Sequence, residues 1–114
     1  MKKNTNNDLL DLIILLKVFD ANYVSDEDCT SLQGLDINSQ ADIDKAVELL
    51  LMPEFRTYKP QAQQRLMTIL RTAIQEEKED FSELFGRVNL VFDDEVIERQ
   101  SFMRMILKSL ESKI

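Results

Sequence analysis

The sequence predicts an all-α fold, one compact bundle of five or six helices in a single domain spanning residues 1–114, and three observations lead there. Two Gly and two Pro in 114 residues leave few sites for tight turns. Leu, Glu, Lys and Gln, all good helix formers, recur along the chain. Its long apolar patterns fit a period near 3.6 residues, and none alternates with period 2. A chain of this length falls in the range of one domain and buries enough surface to fold without metal or disulfide.

The first helix is expected from Asn7 or Asp8, whose short polar side chains suit free backbone N–H groups. "LLDLIILLKVF" is apolar nearly all round a helical wheel, interrupted only by Asp11 and Lys17. Such a helix is either central to the core or shared with a second copy, so a homodimer through Leu9–Phe19 stands as one expectation. "SDEDCTSLQG" reads as a short helical turn. Ser25 and Asp28 have capping spacing, and Gly34 is suited to stop it. Ser39 is placed to cap the next helix, whose Ile43, Ala46, Val47 and Leu50 fall on one face. Pro53 is expected to end that helix near Leu51.

Pro60 suits the first turn of a further helix. Its stripe is Ala62, Leu66, Ile69, Leu70 and Ala73, with Met67 and Ile74 at the edge. Continuing the same phase brings Phe81, Leu84, Phe85 and Val88 onto that face, but puts Glu77 and Asp80 in its middle. A buried helix does not carry acids there, so a break is expected near Glu79, with Asp80 and Glu83 capping a new start. The last helix is expected from about Asp94 to Ser112. Val96, Met103, Leu107, Leu110 and Ile114 form its stripe, with Phe102 and Ile106 flanking.

Catalytic chemistry has little to draw on. With no His there is no triad, no imidazole base and no His-containing zinc site. The single Cys29 excludes an internal disulfide, lacks a His to activate it, and reads as a small packing residue. Two glycines do not build a phosphate-binding loop. "DINSQADIDKAVE" alternates acid and amide residues like a calcium loop, but Ala41 and Val47 stand where Gly and an acid are needed. No catalytic, metal-binding or cofactor-binding residue is therefore assigned. Met52, Met67 and Met103 read as core filling, whereas Met105 falls opposite its helix's stripe and is a candidate exposed contact.

Charge is the strongest functional signal. The net charge of −7 is concentrated: residues 25–48 carry −6 and residues 76–98 carry −7, against +3 in each of 49–75 and 99–114. An acidic chain repels phosphate backbones, so nucleic acid is not an expected ligand. The Leu9–Phe19 run is about half the ~20 residues needed to span a bilayer, and no small-x-small cleavage site follows it. A cytoplasmic protein with no membrane partner is expected. Glu76, Glu77, Glu79, Asp80 and Glu83, with Asp93, Asp94 and Glu95, are the candidate face for a basic protein partner. In composition alone, the chain resembles small acidic helical inhibitors, such as bacterial immunity proteins that block a basic nuclease toxin. That likeness carries over no residue. The expected function is non-enzymatic binding that inhibits or regulates a basic protein. The alternative is a homo-oligomeric scaffolding or assembly subunit built on the first helix.

Overall fold

Apolar residues spaced for helices produce helices at every predicted place. The computed structural model describes residues 6–76, 81–92 and 96–113. Helix α1 (Asn6–Leu16) runs into a 3-10 turn (Lys17–Phe19), and α2 (Asp26–Ser31) follows. Next come α3 (Gln40–Ala46), a π turn (Val47–Leu51) and α4 (Met52–Phe55), continuous as one rod. Then come α5 (Pro60–Gln75), α6 (Ser82–Phe85) and α7 (Arg99–Lys113). With the rod counted once, the described residues form six helices and no strand, as an all-α bundle requires. None of these helices is long and apolar enough to cross a membrane.

The packing order is set by which faces are apolar. Helix α5 lies between α1 and α7, and α7 in turn lies between α5 and α3. One core cluster joins them, with Phe19, Phe55, Phe81 and Phe102 each at most 1% exposed. Phe85 meets Phe102 edge-on, with ring centroids 5.8 Å apart, and Phe19 packs against Phe92 at 5.6 Å. Beyond the 3-10 turn the chain is pinned to the segment after α6. The Val91 N–H donates to the Phe19 carbonyl, and the Ala21 N–H to that of Asn89.

Caps follow the sequence at α2. The Ser25 hydroxyl accepts the Asp28 N–H at 3.1 Å, three acids occupy the first turn, and Gly34 takes φ +84° beyond the end. Ser39 precedes α3 in extended conformation, but its side chain makes no capping bond.

Helix α1 gives one face to the core: Leu12, Leu15 and Leu16 are buried, and Leu9 and Ile13 lie partly buried against it. It is not covered all round, because Leu10 and Ile14, one turn apart, remain exposed.

Four expectations need correction. Pro53 does not end its helix at Leu51, for the rod continues to Phe55. In an α-helix the Pro53 ring would collide with the Leu49 carbonyl. The chain instead widens to a π turn, in which the Met52 N–H donates to the Val47 carbonyl, and Pro53 then sits in the first turn of α4. The expected break at Glu79 lies outside the described residues, between α5, which ends at Gln75, and α6, which starts at Ser82, but the N-cap of α6 is Phe81 and not the expected Asp80. The last helix begins at Arg99, not near Asp94, another position outside the described residues, as is Ile114. Met105 is not an exposed contact but lies partly buried against the core, its carbonyl accepting the Gln40 Nε2 at 3.1 Å.

Two buried stripes are also rotated from their expected centres. On α5, Met67 is buried with Leu66, Leu70 and Ala73, while Ala62 is exposed. On α7, Phe102, Met103, Ile106, Ser109 and Leu110 are buried, and Leu107 only partly. Both helices serve two neighbours, so each needs a wider apolar face than one stripe provides.

Among the described residues Ser109 is the one buried polar residue, with a hydroxyl that meets no hydrogen-bond partner. Ser109→Ala removes that desolvated group and substitutes the best helix former. It is expected to stabilise the fold by about 1 kcal/mol, read as a higher urea midpoint at unchanged slope.

Candidate functional site

Acid placement along the chain becomes surface geometry only where the backbone holds it. Of the eight expected partner-binding residues, the structure places two. Glu76 is the C-terminal cap of α5 and is partly buried, and Glu83 is exposed in α6. Glu77, Glu79, Asp80, Asp93, Asp94 and Glu95 lie outside the described residues.

The end of α5 is held from across the bundle. Gln100 Nε2 donates to the carbonyls of Ile74 at 3.2 Å and Glu76 at 3.4 Å, satisfying acceptors that a helix end leaves open. Phe81 stands at φ 59° and is buried, directing the chain into α6.

Three cations of the two basic blocks pair with acids outside the 76–98 block. Arg65 pairs with Asp11 and Arg71 with Glu111, each at 3.0 Å, while Lys113 reaches Glu48 at 3.5 Å. Arg99 lies over the Phe85 ring, 5.6 Å from its centroid. Among the described residues Glu76 has no ion pair, and Glu83 has only Arg87, within its own acidic block, at 4.0 Å.

A second acidic surface lies around α2, and it is concave. One pocket, of about 340 Å³, is lined by Val18, Tyr23, Asp28, Leu49, Leu50, Pro53 and Glu54. An adjoining, more open groove of about 550 Å³ is lined by Ser31, Leu35, Asp44, Lys45, Glu48, Leu49 and Lys113. Leu49 lines both, and Asp28 and Ser31 lie three apart on α2, so both concavities open between α2 and the rod and are together called the trough. Tyr23 and Leu49 stand at its lip, 54% and 49% exposed. The π turn that accommodates Pro53 is also the turn that carries Leu49.

Electrostatics within the trough are uneven. Lys17 bridges to Glu54 at 3.3 Å and lies 5.0 Å from the centroid of the Tyr23 ring. Tyr58 donates its hydroxyl to Glu54 at 3.3 Å. Burial, and then the Glu54 carboxylate beside it, push the Tyr58 phenol up to about 12. Asp26, Glu27 and Asp28 have no ion pair with any described residue.

Comparison with known proteins finds no matching family model, curated protein or solved structure. The reading therefore rests on the molecule alone.

Other candidates resolve into structure. Two acids of the calcium-like stretch serve its own backbone: Asp42 accepts the Asp36 N–H at 2.7 Å, and Asp36 accepts that of Asn38 at 2.9 Å; Asp44 accepts the Gln40 Nε2 at 3.0 Å and Glu48 pairs with Lys113. No group of three or more acidic or Cys side chains among the described residues is arranged to hold a metal ion. Cys29 is partly buried on α2. Reasoning from sequence missed Tyr23 and Leu49, since Tyr23 sits in a connection and Leu49 in an apolar run. The available signal was Pro53 four residues after Leu49, the spacing at which a proline disturbs a helix.

Proposed function

We propose that this chain is a non-enzymatic acidic helical protein that binds a basic protein partner and inhibits or regulates it. The observation that carries this reading is acid that the flanking basic blocks do not neutralise: Arg65, Arg71 and Lys113 pair with Asp11, Glu111 and Glu48, and not with Glu76 or Glu83, whose one counter-charge among the described residues is Arg87 at 4.0 Å from Glu83. Unspent charge of one sign speeds encounter with a partner of the other and selects its orientation. The face proposed from the sequence, Glu76 to Glu83 with Asp93 to Glu95, is the part of this reading that mutation tests first. Changing Glu76, Glu77 and Glu79 together to Gln is expected to leave the thermal midpoint within experimental scatter. The association rate with the partner captured from the native host should fall several-fold, most at low salt. Association that ignores both the substitutions and the salt would sink the proposal.

The alternative reading, a homo-oligomeric subunit, is favoured by Leu10 and Ile14, which α1 leaves 50% and 42% exposed. Light scattering separates the two: a mass of two or more chains, returned to one by Ile14→Asp, supports assembly and displaces the inhibitor reading.

A further inference from the structure

The trough between α2 and the rod is a surface whose lining specifies what it takes. Its floor and lip are apolar, through Leu35, Leu49, Pro53 and Tyr23, and the side chains at the lip are already half in solvent. Singly exposed apolar residues are ordinary, but two at the rim of one concavity form a site where a partner's apolar side chains remove area from water.

The rim is predominantly acidic. Asp28 and Glu54 border one end and Asp44 and Glu48 the other, with Lys45 and Lys113 the only cations in the lining. Lys113 is held by Glu48, Lys45 lies 3.9 Å from Asp42, and Glu54 is engaged by Lys17. Asp28, together with Asp26 and Glu27 on the same short helix, has no cation. Acids in the first turn of α2 favour its dipole, which accounts for their position in sequence but not for the apolar trough that Asp28 lines.

We infer that this trough is the docking groove for a basic amphipathic segment of another protein. Apolar side chains of that segment cover Leu49 and Tyr23, and its Lys or Arg side chains face Asp28. Charge complementarity selects this occupant: an acidic segment would meet the unpaired α2 carboxylates, and a purely apolar one would leave them desolvated without a partner. A segment whose apolar and basic residues lie on adjoining helical faces satisfies both parts of the lining. The inference rests on the basic-partner reading above and deepens it by giving the place and the form of contact.

The test uses the full chain, isotope-labelled for NMR, titrated with a synthetic 14-residue helical Leu/Lys peptide and with a Leu/Glu counterpart. The Leu/Lys peptide is expected to shift the amides of Tyr23, Asp28, Ser31 and Leu49 selectively, and the Leu/Glu peptide not to. Tyr23→Ser with Leu49→Ser should weaken binding at least about tenfold while leaving the thermal midpoint nearly unchanged, since both side chains are half exposed. Asp28→Asn gives a second arm, expected to weaken binding most at low salt. Shifts gathered at Glu76 and Glu83 instead would overturn the trough and leave the basic-partner reading standing. Equal binding of the Leu/Glu peptide would overturn both. Absence of localised shifts with either peptide, or binding unaffected by the Tyr23 and Leu49 changes, would overturn the trough alone.

Discussion

Replacing Phe19 with alanine is expected to cost about 3–5 kcal/mol of folding stability. The ring is fully buried, lies 5.6 Å from that of Phe92, and belongs to the core cluster joining α1 to the rest of the bundle. Its backbone carbonyl accepts the Val91 N–H at 2.9 Å, so the side chain sits where the first helix is tied to the segment after α6. Truncation therefore opens a cavity at a point where the backbone is held and collapse to fill it is limited. Urea denaturation reads this as a large fall in midpoint. Leu10→Ala, on the exposed side of the same helix, is expected to change stability by less than about 0.5 kcal/mol. Similar losses for the two would mean that the assignment of α1's buried face is wrong.

A loss of about 3–5 kcal/mol is likewise expected for Phe81→Ala, and here the informative comparison is with glycine. Phe81 is 1% exposed and stands at φ 59°, the left-handed region that costs a residue with a Cβ roughly 1–2 kcal/mol. At an ordinary helical or extended position, glycine is worse than alanine by about 0.5–1 kcal/mol, because it loses more backbone freedom on folding. At Phe81 the order should reverse or level, with Phe81→Gly no less stable than Phe81→Ala in paired urea titrations. Glycine clearly worse than alanine would show that the left-handed turn into α6 does not form. The conformation is tolerated because the ring is buried on arrival: several kcal/mol of burial outweigh one or two of backbone strain.

Element existence was legible from periodicity, and element ends were less so. A proline's effect depends on whether the helix must stop or has room to widen, and for Pro53 that was decided by burial of Val47, Leu51, Met52 and Phe55 on both sides of the π turn. Continuing the rod keeps four core side chains in place, whereas a stop at Leu51 would release two of them. The partner surface was legible only as charge. Two blocks of acid can be counted from the chain, but which one borders an apolar concavity depends on how α2 lies against the rod. No spacing rule links Tyr23, in a connection, with Leu49, in a π turn.

The residues by themselves determined an all-α protein, the approximate place of each long helix, the capping of α2 by Ser25 and an excess of acid in two blocks, because these depend on local backbone chemistry and on counting. Only the tertiary structure decided the rest. It rotated the buried faces of α5 and α7 toward two neighbours, drew Met105 into the core, spent Arg65 and Arg71 on Asp11 and Glu111, and left Leu49 at the lip of a trough. Each of these joins residues distant in the chain, and a helical wheel gives the direction a side chain points from its own axis, not what stands there to meet it.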